Sequence, residues 1–421
     1  MLDTEQAAAK SNTGGSVQLA FVIFKYFPYG GIQRDMVRII RECLALGHQV
    51  RIYAMRWEAQ GLPAELAKGG VELRVLPQSG WSNHKRYTRF ADAVATELAR
   101  DPVDLVVGMN KMPGLDLYFA GDSCFVDKVD VQRSPWHRLL PRYRHFAAFE
   151  AAVFAADART HIMTIAESQT PVFQRHYGTQ DERLHPLPPG IDPSRRAPDA
   201  VERQAIRDSF RAEFELGADD QLILFLGSGF IKKGLDRAIR AVAALPAEQR
   251  ARTQLFVVGA DKTRPFQRQA RRAGIDHQVR FFAGRDDVPR FLTGADLLLL
   301  PAYDELAGMV ILEAIIAGLP VLVTANCGYA HYVERADAGR ILTEPFQQSE
   351  LNQILAQMTS DDQALSRWSE NGIVFGRHAD IYRLHHYAAR LIDTLVLARR
   401  DPCVDLTAEL NRLDAEGPAD A

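Results

Sequence analysis

Two carboxylates eight positions apart, Glu305 and Glu313, flank the start of a stretch that reads as a buried helix, PAYDELAGMVILEAIIAGLPVLVT (301–324). From Met309 to Ala317 every residue but Glu313 is apolar. A helix apolar on all sides belongs in a domain interior, where a carboxylate needs a ligand or a polar partner. Glu313 is then either an acid satisfied by the helix dipole and a nearby amide, or a ligand contact. Eight residues of helix rise about 12 Å. A glycosidase pair stands closer, about 5 Å apart in retaining enzymes and about 6.5–9.5 Å in inverting ones. The longer separation suits the two ends of an elongated ligand whose middle lies over the helix start. Backbone N–H groups of Ala307, Gly308 and Met309 would meet an anion there, and Gly308 lets a phosphate approach. A nucleotide-sugar has this shape, with ribose at one end, diphosphate in the middle and hexose at the other.

Other glycine-bearing turns carry related chemistry. In FKYFPYGGIQRD (24–35) the pair Gly30-Gly31 precedes a helix and suits close backbone approach, without the G-x-G-x-x-G spacing of a dinucleotide fingerprint. Asp35 follows in what reads as the first turn of that helix, as a dipole partner, a partner for Arg38, or a functional acid. LGSGFIKKGL (226–235) is not a P-loop, yet two lysines and three glycines in a strand-to-helix turn favour phosphate over a plain solvated loop. GRDDVPRFL (284–292) is placed to reach a base or a ribose.

Elements able to position these loops are legible as β-rich apolar runs alternating with helical patterns, an α/β architecture with parallel sheets. Strands are expected at 17–24, 49–55, 71–76, 103–109, 115–120 and 161–167, then at 221–227, 254–259, 279–284, 295–300 and 320–324. A helix is expected from Ile32 to Leu46, ended by Gly47. Prolines in HPLPPGIDPSRRAP (185–198) oppose helix and central strand alike and mark an interdomain linker. Two doubly wound domains result, 17–190 and 191–377, facing across a cleft onto which strand C-termini open. Segment 1–16 reads as a disordered tail, 378–398 as a helix crossing back to the first domain, and 399–421 as a flexible tail.

With 50 basic and 53 acidic residues among 421, the charge is balanced, and nothing marks a nucleic-acid binder. Four scattered cysteines show neither metal nor disulfide spacing and suit a reducing compartment. Residues 1–16 lack a basic start and apolar core, so no signal peptide is expected, and no apolar run of about 18 residues predicts a membrane span. The chain is expected in the cytoplasm.

The strings KYFPYGGIQRD (25–35), NKMPGLDLYFAGD (110–122), RYRHFAAFE (142–150), LPPGI (187–191), FVVGADK (256–262), PAYDELAGMVILEAIIAGLPVL (301–322) and CGYAHYV (327–333) carry a resemblance. The chain resembles the family 4 retaining glycosyltransferases of the GT-B fold, and within them the lipopolysaccharide core glucosyltransferases, over roughly residues 18–395. The resemblance implies hexose transfer from a UDP-sugar to an inner-core heptose, with no cofactor and no metal. The absence of a D-x-D motif agrees with that. It implies that Glu313 binds the donor ribose and that Glu305 lies near the transferred sugar. Amides of Ala307, Gly308 and Met309 would hold the distal phosphate and sugar, and Lys233 would neutralise the leaving diphosphate. Asp35 would act near the acceptor hydroxyl, Gly30 and Gly31 would close over the phosphates, and Arg285 would flank the base. Many relatives carry Arg where this chain has Ser228, with Lys232 as a candidate replacement charge. Asn110 and Lys111 stand where many have His, which bears on acceptor choice.

Segment 131–150 interleaves Arg133, Arg138, Arg142 and Arg144 with Trp136 and other large apolar residues. That composition suits either an anionic membrane interface or a solvated basic face over a core contact. The resembled family's lipid-anchored acceptor favours the membrane, hence a peripheral protein on the inner face of the cytoplasmic membrane. His331, His385 and His386 lack metal-ligand spacing and read as structural. Two alternatives share the architecture: a nucleotide-sugar 2-epimerase, and a catalytically silent nucleotide-sugar-binding protein.

Overall fold

Strands such as QLILFL and LLLL have no polar face to offer water, and both are covered on each side. The computed structural model describes residues 17–28, 30–132 and 134–415. Residues 1–16 and Arg133, both singled out above, lie outside the described residues.

The chain divides into two units, 1–188 with 383–421, and 189–382. In the first, β1 (Gln18–Tyr26), β2 (Gln49–Trp57), β3 (Glu72–Val75), β4 (Leu105–Gly108), β5 (Leu117–Ala120), β6 (His161–Thr164) and β7 (Leu184–Pro186) form one sheet in the order β3-β2-β1-β4-β5-β6-β7. Every pair is parallel. In the second, β8 (Gln221–Leu226), β9 (Thr253–Val258), β10 (Val279–Phe282), β11 (Leu297–Leu300), β12 (Val321–Thr324) and β13 (Gly339–Leu342) run β10-β9-β8-β11-β12-β13, again all parallel. The strand order reverses between β1 and β4 and between β8 and β11. Crevices outside the strand C-termini at such reversals are where doubly wound sheets bind ligands.

Helix Gly31–Ala45 packs Met36, Ile39 and Ile40 into one core layer of the first unit, together with Leu384, Ala388 and Leu391 of helix Leu384–Arg400. The opposite layer holds Phe90, Phe149, Val153 and Phe154. The second unit gathers Phe225, Leu235, Ile239, Leu255 and Leu299 around β8.

Three differences from the sequence reading have physical causes. Leu184–Pro186, overlapping the start of the passage read as a linker, is a strand; it lies at the sheet edge, where a proline costs no ladder bond. Helix Met309–Ile316 begins four residues after Glu305, which sits in a loop bridged to Cys327, so a helical rise does not separate the two glutamates. The segment read as a flexible tail contains helix Leu406–Ala415, which seats Leu406, Leu410 and Leu413 on the first unit's core. Its leucines recur at i, i+4 and i+7, a period that polar neighbours masked.

Candidate active site

Helix Met309–Ile316 buries Val310, Ile311, Leu312, Ala314, Ile315 and Ile316, leaving Met309 and Glu313 as its partly exposed stripe at i and i+4. Its N-cap, Gly308, has φ +85°, a left-handed conformation that glycine adopts without strain. A Cβ there would stand 2.9 Å from Ile311 Cδ1 and 3.3 Å from Glu305 Cγ, so the Glu305 arm lies over the cap. The first N–H groups of this helix have no partner within it and carry its partial positive charge.

The loop after β11 is strapped on two sides. Gly328 N donates to Glu305 O (3.1 Å) and Tyr329 N to Ala307 O (2.7 Å). From the other side, Tyr303 N donates to Lys232 O (2.7 Å), joining this loop to the turn after β8. Gly234 closes that turn at φ +77°, and a Cβ on it would fall 2.0 Å from Pro301 O, so only glycine allows the approach. The result is an ion pair between Lys233 Nζ and Glu305 Oε2, at the β8/β11 reversal and beside the helix start. The two side chains keep 15% and 20% of their surface, so the pair is reachable by a ligand.

Arg237 holds the same loop from below, a role not visible in the sequence. Its guanidinium lies 3.6 Å from the ring centroids of both Tyr303 and Phe346 and donates to Pro301 O (3.1 Å) and Ala302 O (2.9 Å). Arg195, also unforeseen, brings Nε within 4.0 Å of Glu313 Oε1. It arrives from the proline-rich segment 118 positions away in sequence, where no periodicity points to it. Both carboxylates named at the outset therefore face cations, and Glu313 retains room for further donors.

Lys232 stands 3.6 Å from Asp304 on the surface, so its charge is matched locally. Ser228 Oγ accepts from Ala260 N (3.1 Å), tying the turns after β8 and β9 together. Arg285, in the loop after edge strand β10, is held by both oxygens of Asp287 (2.6 and 2.8 Å) and faces the Phe291 ring at 5.0 Å. The paired guanidinium holds the Asp287 carboxyl below its ordinary pKa.

In the first unit, Asp35 lies in the second turn of helix Gly31–Ala45, too far in to complement the dipole at its end. Its Oδ1 is 2.9 Å from His385 Nε2. His385, read as structural, thus meets a candidate functional acid 350 positions away. Gly30 has φ −81° and ψ 143°, a backbone any residue adopts, but a Cβ on it would stand 1.8 Å from Gln33 Oε1 and 2.9 Å from the Phe27 ring, while a Cβ on Gly31 would meet open space.

Of the two residues expected at the acceptor, Asn110 is partly exposed and Lys111 is buried. Asn110 Oδ1 accepts from Phe24 N (2.8 Å), bridging the ends of β1 and β4. Lys111 Nζ is enclosed by Glu150 Oε1 (2.5 Å), Ser123 O (2.8 Å) and Asp122 Oδ2 (3.4 Å). Glu150 is fully buried and also accepts from Phe125 N (2.7 Å), Val126 N (3.1 Å) and Tyr177 Oη (2.8 Å). Burial works against this carboxylate, and the Lys111 charge with these hydrogen bonds outweighs it, so the pKa falls below the usual range. A lysine so consumed holds the fold together.

Trp136 (76% exposed), Leu139 and Leu140 project from the short helix Pro135–Leu139 and the residue after it. Arg142 and Arg144 are exposed on helix Pro141–Phe154, and Arg138 pairs with Asp130 (2.8 Å). The apolar residues here do not cover a core. Nearby, Thr88 of helix Asn83–Arg100 meets His145 (3.2 Å), and Trp81, just ahead of that helix, is fully exposed.

Residues 206–375 match the family model "Glycosyl transferases group 1", and residues 29–195 match "Glycosyltransferase Family 4". The lipopolysaccharide glucosyltransferase WaaG of Escherichia coli is 43% identical over 374 residues, which is 89% of this chain and 98% of that protein. The crystal structure of a WaaG glycosyltransferase involved in lipopolysaccharide biosynthesis superposes with a TM-score of 0.82 at 43% identity, covering 89% of this chain and 99% of that one. Anabaena HepE in complex with UDP-glucose gives a TM-score of 0.68 at 17% identity, covering 90% of this chain and 99% of that one, which shows a shared fold.

Proposed function

This chain belongs to the family 4 glycosyltransferases, with their GT-B fold, and from that premise we propose that it moves a hexose, glucose in our reading, from a UDP-sugar to a heptose of the lipopolysaccharide inner core. One observation carries the proposal: the Lys233–Glu305 pair stands at the β8/β11 reversal directly before the amide-bearing start of helix Met309–Ile316. A cation beside free N–H groups is a receptor for a diphosphate. The WaaG relative is named a lipopolysaccharide glucosyltransferase, which supports glucose as the hexose moved.

The chemistry follows from charge. As the bond from the anomeric carbon to the diphosphate oxygen breaks, negative charge collects on phosphate and positive charge on the sugar. Lys233 and the amides of Ala307, Gly308 and Met309 stabilise the first, and the Glu305 carboxylate, released from Lys233, stabilises the second. Glu313 accepts from the ribose hydroxyls. The acceptor oxygen bonds to the anomeric carbon on the face the diphosphate leaves, so configuration is retained, and its proton passes to the Asp35 carboxylate. Gly30 and Gly31 allow the first-unit loop to come close to the phosphates, and Arg285 flanks the base.

The acceptor is lipid-anchored in this reading, and the protein works on the inner face of the cytoplasmic membrane. Among the described residues no helix is long and apolar enough to cross a membrane. Exposed Trp136, Leu139 and Leu140 between arginines fit a peripheral contact with anionic lipid.

UDP release measured with and without inner-core oligosaccharide, followed by product mass and linkage, tests the reaction. Acceptor-dependent release with a gain of one hexose and a retained anomer is expected. An inverted linkage refutes retention, and a free epimer formed without acceptor refutes transfer.

A further inference from the structure

We propose that His385 is a positioning residue for Asp35, fixing the carboxylate so that one oxygen is presented to the acceptor hydroxyl. The inference rests on the reading of Asp35 as the carboxylate that takes the acceptor proton.

Both side chains are largely enclosed, His385 at 10% and Asp35 at 21% of their surface. His385 Nε2 meets Oδ1 at 2.9 Å. A carboxylate held by an N–H at Oδ1 is fixed about its terminal torsion, and Oδ2 is then the oxygen that takes a second donor. An acid anchored this way needs no reorganisation when the hydroxyl arrives, which is how an orienting partner contributes to acid–base catalysis without touching substrate.

Two further histidine–acid contacts join the same parts of the molecule: His386 Nδ1 with Glu42 (3.5 Å), and His48 Nε2 with Asp393 (3.5 Å). These longer contacts stitch helix Leu384–Arg400 to the region of helix Gly31–Ala45. The His385 contact differs from them in length and place. Asp35 lies one turn from the helix start that follows the C-terminal end of β1, the strand at the order reversal. His385 is the third residue of the first unit after the chain leaves the second at Tyr382.

Steady-state kinetics on Asp35→Asn, His385→Leu, His385→Gln, the double variant Asp35→Asn/His385→Leu and the control His386→Gln test this. Asp35→Asn should lower kcat about 100-fold or more, as loss of a general acid or base does. His385→Leu should lower kcat about tenfold with donor KM unchanged. His385→Gln, whose amide N–H reaches the position of Nε2, should recover most of that loss. The double variant should be no slower than Asp35→Asn alone, because residues acting as a unit are not additive. His386→Gln should leave kcat unchanged, showing that stitching the helices is not the cause.

Wild-type kcat in His385→Leu beside a crippled Asp35→Asn overturns the positioning role and leaves the Asp35 reading standing. An active Asp35→Asn overturns both. Should His385→Leu fail to fold, His385→Asn, with an amide one bond shorter than that of Gln, serves in its place: equal rates for Asn and Gln overturn the inference.

Discussion

Replacing Lys233 with methionine separates catalysis from folding at the donor site. The methionine keeps the length that packs against Gly227, where a Cβ would stand 2.8 Å from Lys233 Cε, and removes only the charge. In the free protein the lost interaction is one ion pair whose side chains keep 15% and 20% of their surface. The pair is partly buried, and the unpaired Glu305 still reaches solvent. The stability cost therefore lies between the about 1 kcal/mol of an exposed pair and the about 3–5 kcal/mol of a fully buried one. In the proposed transition state the same ammonium faces a leaving diphosphate, and removing a fixed donor of that kind costs about 2.7–4 kcal/mol. At about 1.36 kcal/mol per decade, kcat should fall about 10²- to 10³-fold. The assay is UDP release at saturating donor and acceptor, alongside thermal unfolding of the same preparation. Lys233→Met should lower Tm by no more than about 8 °C while kcat collapses. A kcat within threefold of the parent refutes the assignment of Lys233 to the leaving group. A kcat loss matched by a large drop in Tm refutes the separation of the two effects.

Glu313→Ala should raise the donor KM about 10- to 100-fold with a smaller change in kcat, since a hydrogen bond to a charged group is worth about 1.5–3 kcal/mol; donor titration checks this. Lys111→Met leaves the fully buried Glu150 without its counter-ion and should cost about 3–5 kcal/mol, read as a fall in Tm, where an acceptor-binding role would instead alter acceptor KM. His185 has a pKa pushed down to about 4 by burial and then by His161, whose Nδ1 lies 2.9 Å away. The folded chain binds this proton less readily than the unfolded one, so the stability it supports is complete above about pH 6.5 and is lost as pH falls towards 4. His185→Phe should flatten the Tm-versus-pH curve in that window by up to roughly 3 kcal/mol of dependence. Trp136→Ala combined with Arg142→Ala should reduce sedimentation with anionic liposomes at low salt while leaving soluble turnover intact; unchanged sedimentation counts against the membrane contact.

Apolar runs separated by helical patterns were enough to read two parallel-sheet units, because a strand buried on both faces leaves a continuous hydrophobic signature. Most strands fall where those runs are. β7 and β13 do not, since edge strands are short and need carry no such run. Glu305, Glu313 and Lys233 were legible as types in unusual places: carboxylates in apolar company and a lysine in a glycine turn. Their roles came from family resemblance, and spacing alone suggested an elongated ligand of nucleotide-sugar shape.

What the sequence determined by itself is local: strand and helix periods, a glycine at 308 that opens the helix start to close approach, and a chain too balanced in charge to favour nucleic acid. Tertiary structure alone decided who meets whom. It set Lys111 against Glu150 across 39 positions, which turned a candidate acceptor contact into a buried ion pair. It also brought His385 to Asp35 across 350 positions and Arg237 beneath the loop that carries Glu305. A side chain's partner depends on how distant elements pack, and no period or spacing along the chain encodes the approach of two surfaces.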